Sequence, residues 1–181
     1  GKPAASARNV TVSFRDYIAN VASSEVYPTW PEQALRANIH CQISLALNRI
    51  YTEWYPSKGY TFNITNSTSY DQYYVHGRTV FDVMVRITDD IFNTYLRKTG
   101  TVNPYYSEYC DGKSVTCPGL KQWGTVFHSY YMAFDDYTIP YDGGRREDGS
   151  GGAWNAPGSF CVMEVTGGTV PVAWSKRRDP W

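Results

Sequence analysis

The sequence predicts an α+β domain in which helices pack on a small, mostly antiparallel sheet, with a glycine-rich tail at the C-terminal end. Three observations carry that expectation. Apolar residues recur at three- and four-residue spacing over 13–25, residues 31–51 are apolar almost all the way round, and 60–64 and 69–75 have the aromatic and β-branched bias of strands.

In chain order, Phe14, Tyr17, Ile18, Val21 and Ala22 form the stripe of a first helix, with Ser13 as its N-cap and Asp16 as an acidic stand-in for the third-position residue of a capping box. The turn Tyr27-Pro28-Thr29-Trp30-Pro31 follows, and Thr29 with Glu32 reads as a second capping box opening a helix over 31–51. Its Leu35, Ile39, Ile43 and Leu47, together with Ala34, Cys41 and Leu45, leave no polar face, as in a helix buried within its domain. The segments 60–64 and 69–75 are then expected to pair as a hairpin or short sheet. Val80, Met84, Ile87, Ile91 and Tyr95 define a third helix that should end near Lys98, with Gly100 as a left-handed stop. Residues 101–109 read as a strand pair or an extended segment. Beyond that, 142–152 has the composition of a flexible linker, and 160–165 and 169–174 read as two short strands. The expected division is a domain over 9–126 and a divergent tail or accessory hairpin over 127–181.

A chain of 181 residues suits one domain, and 42% hydrophobic with 19% charged residues is ordinary for a globular protein. A formal net charge of zero gives no long-range attraction to nucleic acid, and no apolar run approaches the length of a membrane span. The start of the chain lacks the apolar core of a signal peptide, so it reads as a mature or trimmed product.

Position 25 is the most informative. The apolar stripe of the first helix continues onto Glu25, and Val26, Tyr27, Pro28 and Trp30 place apolar surface beside it. Such surroundings disfavour the ionised form and raise a carboxyl group toward the range a general acid needs. The bland alternative is a glutamate at a fraying helix end, exposed or paired with an arginine. Aromatic content also stands out, with 16 Tyr, 6 Trp and 7 Phe, many among polar residues as in 51–55 and 70–74. Amphipathic rings among Asn, Thr, Asp and Gln suit a sugar-binding cleft; they also pave strands and surfaces.

Cys110 and Cys117 bracket six residues, a loop short enough to close as a disulfide in an oxidising compartment or to hold a metal. The spacing fits no common zinc pattern, and His40, His76 and His128 show no ligand spacing to one another or to a cysteine. Cys41, within the apolar helix, reads as a small core residue.

Four blocks in order carry a resemblance. They are the run from Val12 to Ala37 with its Tyr17-Ile18 and Glu25 and its Trp30-Pro31-Glu32-Gln33-Ala34-Leu35; then Tyr70-Asp71-Gln72-Tyr73-Tyr74; then Tyr106-Ser107-Glu108-Tyr109-Cys110-Asp111-Gly112; then Gly119-Leu120-Lys121-Gln122-Trp123-Gly124. Together they resemble the stage II sporulation protein D family, which includes the LytB-type amidase enhancers. In that family the corresponding blocks run Tyr-Ile-x-Gly-Val-Val-x-x-Glu-Met-Pro with Trp-Pro-x-Glu-Ala-Leu-Lys-Ala, Gln-x-Tyr, Tyr-x-Ser-x-Cys-Gly-Gly, and Gly-Met-Ser-Gln-Trp-Gly. This sequence departs from the pattern in three ways. Cys117-Pro118-Gly119 stands where the family has His-Gly-x-Gly, the stretch before Gln122-Trp123 is shortened, and the helix that usually follows is not recognisable after Gly124.

The resemblance implies a lytic transglycosylase acting on peptidoglycan glycan strands, a secreted bacterial lyase of cell-wall remodelling and sporulation, with Glu25 as its acid and base. One carboxyl then suffices: it protonates the leaving oxygen and afterwards takes a proton from the sugar's own 6-hydroxyl, leaving a 1,6-anhydro-MurNAc end. Ordinary hydrolysis would need two carboxylates; Asp71 and Asp16 are the candidate helpers. Tyr27, Trp30, Tyr74 and Trp123 are the expected stacking residues, and Asp71, Gln72 and Gln122 the expected contacts to hydroxyls and acetamides. For Trp30, stapling the second helix to its neighbour is the plainer role. No cofactor and no metal are expected. The alternative is a non-catalytic glycan-binding module that stimulates a cell-wall amidase. Either activity belongs outside the cytoplasm, in the wall or spore envelope of a Gram-positive bacterium.

Overall fold

The structure, a computed structural model, describes residues 8–98, 101–131 and 160–164, with 127–131 and 160–164 described through their backbone. It is α+β. Helix α1 (Phe14–Glu25) begins at Ser13, whose hydroxyl accepts the Asp16 N–H at 3.1 Å, and buries Tyr17, Ile18, Val21 and Ala22. Helix α2 (Glu32–Tyr51) runs through the centre, with Leu35, Ile39, Ile43, Ala46 and Leu47 in one core with the α1 stripe. Its expected capping box does not form. Pro31 occupies the N-cap without a side-chain bond, and Glu32 instead bridges Arg36, one turn along, and Arg86 of the next helix. A carboxylate with two guanidinium groups in reach is better compensated there than by a backbone amide.

Helix α3 (Asp82–Ile91) packs on both α1 and α2 through Met84, Ile87 and Ile91. It is shorter than the sequence predicts. The chain turns after Ile91 into strand β1 (Thr94–Lys98), with the Thr94 hydroxyl donating to the Ile91 carbonyl at 2.7 Å. Tyr95 and Leu96 are both fully buried, and the Leu96 N–H donates to the Ser44 hydroxyl of α2 at 2.7 Å. Ile91 and Tyr95 satisfy a helical spacing, yet the chain leaves the helix before Thr94 and pairs with a later strand instead. Gly100, the expected stop, lies outside the described residues.

The hairpin expected over 60–64 and 69–75 is absent: both segments are irregular. Side chains have taken the backbone groups a ladder would use. Asp71 accepts the Thr65 N–H, Glu25 accepts the Tyr73 N–H, and Asn20 both accepts the Val75 N–H and donates to the Val75 carbonyl. With its polar groups satisfied in this way, the segment needs no strand partner.

The extended stretch after β1 carries one isolated bridge, Arg97 to Pro104, and reaches strand β2 (Tyr109–Cys110). Strand β2 pairs in parallel with β3 (Leu120–Lys121), with Tyr109 opposite Leu120 and Cys110 opposite Lys121. Here the sheet departs from the mostly antiparallel expectation. Parallel neighbours ordinarily need a long crossover; this one is closed by the Cys110–Cys117 disulfide and by Asp111, whose carboxylate accepts the N–H groups of Lys113, Ser114 and Val115. Gly119 is obligatory at the crossing point, because a Cβ there would run into the Glu108 carbonyl.

Helix α4 (Gln122–Tyr131) follows directly, so a helix does stand after Gly124; it packs on α2, where Asn38 donates to Thr125 at 3.0 Å. Strand β4 (Phe160–Glu164) pairs antiparallel with β1, Thr94 opposite Glu164 and Lys98 opposite Phe160. It lies within the first strand expected in the tail. The expected linker over 142–152 and second strand over 169–174 fall outside the described residues.

Candidate active site

Glu25 closes α1, and its carboxyl group turns into the gap between α2, the 71–75 segment and β2. Oε2 accepts from Gln42 Nε2 at 2.9 Å and Oε1 accepts from the Tyr73 backbone N–H at 2.8 Å, and the Tyr109 phenol is a third group that favours the charged form. Burial is the largest influence and raises the carboxyl from its ordinary 4.5 to about 7; Tyr109, the Tyr73 N–H and Gln42 all act the other way. Among the described residues no arginine and no second carboxylate figures among the groups acting on it. The two opposed effects have separate origins: apolar packing disfavours the charge, and these polar groups stabilise it.

Behind these partners runs a chain of hydrogen bonds. The Tyr17 hydroxyl donates to Gln72 Oε1 at 3.0 Å, and Gln72 Nε2 donates to both the Gln42 carbonyl and the Tyr109 hydroxyl oxygen at 3.1 Å. Burial holds the Tyr17 and Tyr109 phenols well above their ordinary value, so both remain donors. Gln72 is fully buried, and Tyr74, also buried, stacks on Tyr17 with ring centroids 5.4 Å apart. The roles expected of Gln72 and Tyr74 as surface contacts are thus corrected to interior bracing.

Asp71 is corrected in the same sense. Its side chain is wholly buried, bonded to Arg49 Nε at 2.6 Å, the Tyr55 hydroxyl at 2.6 Å and the Thr65 hydroxyl at 2.7 Å, which leaves it nothing to offer a ligand. Arg49 is itself held over the rings of Trp54 and Tyr106. Asp16, the other candidate helper, lies nine residues before Glu25 on the same helix; at the helical rise that is ~13 Å away, too far to act on the same bond.

The surface beside Glu25 is aromatic. Tyr27, two residues on, is 60% exposed, and its ring lies 5.9 Å from that of Trp30 and 6.0 Å from that of Trp123. Trp30 and Trp123 are 4.9 Å apart, so these three expected stacking residues form one cluster. The Lys113 ammonium sits 3.3 Å over the Trp123 ring. Gln122 is buried at the start of α4. Tyr73, next to the buried Tyr74, is 47% exposed while its backbone holds Glu25.

Sequence reasoning missed Gln42, Tyr73, Lys113 and Tyr109. Gln42 left a signal, since a glutamine within the buried run of a helix calls for a polar partner. Tyr109 left only its place beside Cys110. Among the described residues no group of three or more His, Cys, Asp or Glu is placed to hold a metal ion, and no helix is long and apolar enough to cross a membrane. Comparison with known proteins gives no matching family model, no matching curated protein and no matching solved structure.

Proposed function

We propose that the protein cleaves the glycan strands of peptidoglycan as a lytic transglycosylase, with Glu25 as its single acid and base. The observation that supports this best is the balance at Glu25: a carboxyl group raised to about 7 by burial and held by the Gln42 amide and the Tyr73 N–H. Near neutral pH such a group is populated in both forms, as a residue that first gives and then takes a proton requires. In the first step the protonated carboxyl passes its proton to the glycosidic oxygen as the bond to the anomeric carbon breaks. The resulting carboxylate, steadied by Gln42 and the Tyr73 N–H, then removes the proton of the 6-hydroxyl, which closes on the anomeric carbon to give the 1,6-anhydro end.

The Tyr27, Trp30 and Trp123 cluster is suited to stacking against the C–H faces of sugar rings on one side of the acid, and exposed Tyr73 adds a further ring close to it. In this reading the chain is a divergent relative of the stage II sporulation protein D and LytB-type proteins, working outside the cytoplasm of a Gram-positive bacterium on the cell wall or spore envelope, alongside a cell-wall amidase. The Cys110–Cys117 bridge accords with an oxidising compartment. A second reading keeps the aromatic platform as a glycan-binding module that stimulates that amidase, with Glu25 as a structural acceptor for Gln42 and the Tyr73 N–H.

The deciding experiment is mass spectrometry of products from purified glycan strands incubated with the protein or with Glu25→Gln. Anhydro ends from the parent protein alone establish the transglycosylase. Reducing ends would require a second carboxylate and refute the one-residue mechanism. Strands bound but left uncut by both proteins would establish the binding module.

A further inference from the structure

We infer that the Gln42 side-chain amide is a positioning partner of Glu25 with two orientations: it gives an N–H to the carboxylate and, turned over, accepts the O–H of the protonated acid. Two observations carry this. Gln42 Nε2 donates to Glu25 Oε2 at 2.9 Å, and at the other end of the same amide Oε1 is buried with no partner among the described residues. Gln42 is 1% exposed, so bulk solvent does not supply one. A buried amide oxygen without a donor calls for a reason. Here it leaves the amide free to turn: in either orientation the far end goes unpaired, so the carboxyl group decides which atom faces it. The main chain of Gln42 is held separately, its carbonyl accepting from Gln72 Nε2 at 3.1 Å.

The same geometry decides which oxygen carries the proton. Glu25 Oε1 accepts the Tyr73 backbone N–H at 2.8 Å, and that donor cannot become an acceptor. Oε2 faces an amide that can. The acid proton therefore sits on Oε2, where an unturned Gln42 would set an N–H against the O–H.

The titratable and charged groups around the pair are few. Tyr17 from α1 and Tyr109 from β2 feel the Glu25 charge, with Asp71 and Tyr74 of the 71–75 segment acting on Tyr17. On α2, Arg49 is committed to Asp71, and His40 bonds Thr94 and stays neutral, burial holding it down to about 4. Lys113 is held over Trp123. None of them bonds the Gln42 amide. In the proposed reaction Oε2 gives its proton to the glycosidic oxygen as the bond to the anomeric carbon breaks, and Gln42 turns an N–H onto the new carboxylate. When Oε2 receives the 6-hydroxyl proton, the amide turns back. That cycle rests on the reading of Glu25 as the reacting acid; the reversal itself does not.

The test is neutron diffraction from deuterated crystals of the parent protein at low and high pH, on either side of the Glu25 titration near 7. At high pH the deuterated amide nitrogen should face Glu25 Oε2; at low pH the amide oxygen should face a deuteron carried on Oε2. An amide with the same orientation in both crystals overturns the inference. A 13C NMR titration of the Glu25 carboxyl in Gln42→Met gives a second reading. Losing a fixed donor would raise the midpoint by more than about one pH unit, whereas losing a partner that serves both forms should move it by less. If glycan is cleaved, the same variant should lower kcat about tenfold with KM little changed, since Gln42 acts through Glu25 and not on the sugar. An amide that turns with pH in a protein yielding no anhydro product would overturn the proposed reaction and leave the role of Gln42 standing; anhydro product from a protein whose amide stays fixed would do the reverse.

Discussion

Replacing Glu25 by glutamine should abolish cleavage and at the same time stabilise the protein above neutral pH. The folded carboxyl titrates near 7 and the unfolded one near 4.5. Below 4.5 both states are protonated and Glu25 contributes nothing to the pH dependence. Between 4.5 and 7 the folded state binds more proton, so stability falls as pH rises, and above 7 the full cost is present. That cost is ~3 kcal/mol. A neutral amide escapes it. Its NH2 would meet the Gln42 amide that now donates to Oε2, but Gln42 Oε1 is buried with no partner among the described residues, so the Gln42 side chain can reverse and accept. Allowing for imperfect geometry, Glu25→Gln should exceed the parent protein by ~2 kcal/mol at pH 8, about 4–8 °C in melting temperature for a chain of this size. The two should match near pH 4.5. Urea melts of both proteins at pH 5 and pH 8 read this directly. A variant no more stable at pH 8, or a difference flat with pH, would mean that Glu25 is not an acid with a raised titration point, and the case for its chemistry would fall with it.

Three further perturbations reach other parts of the structure. Arg49→Met leaves the Asp71 carboxylate buried without its cation and should cost ~3–5 kcal/mol by urea denaturation. Replacing Cys110 and Cys117 by serine frees a loop of separation 7, which should lower stability by ~2–3 kcal/mol in the same assay, and a reductant should reproduce the loss in the parent protein. Trp123→Ala removes one wall of the ring cluster and should weaken retention on insoluble glycan about tenfold with the melting midpoint little changed.

What could be read from sequence was local. The α1 stripe, the Ser13 cap and the all-round burial of α2 depend on residues within two turns of one another, and each stands where the spacing puts it. Glu25 was legible for the same reason: its phase on the helix is fixed by Tyr17, Ile18, Val21 and Ala22. The 69–75 segment was not, because its conformation is set by Asn20 and Glu25, about fifty residues away, whose side chains hold the Tyr73 and Val75 backbone. Strand-like composition there reflects burial rather than pairing. Of the two adjacent tyrosines, Tyr74, expected to stack on sugar, is turned inward onto Tyr17, while Tyr73 is the exposed one. Helix α3 overran for a related reason: Tyr95 continues the helical spacing of Ile91, but pairing with a segment far along the chain makes 94–98 a strand.

The parallel β2–β3 pair links the two halves of the candidate site. Tyr109 on β2 acts on the acid, and Trp123, two residues beyond β3, reaches the rings beside it. Neither strand is longer than two residues, too few to hold its own register by backbone bonds. What holds it is the disulfide, the Asp111 cap on the loop, the close approach allowed by Gly119, and the packing of α4 on α2. A phenol that favours the carboxylate and one wall of the ring cluster are therefore set by one short structural unit. A change in the Cys110–Cys117 loop that lets β2 drift from β3 would disturb proton balance and ring geometry together, even though no residue between the two cysteines bonds to Glu25.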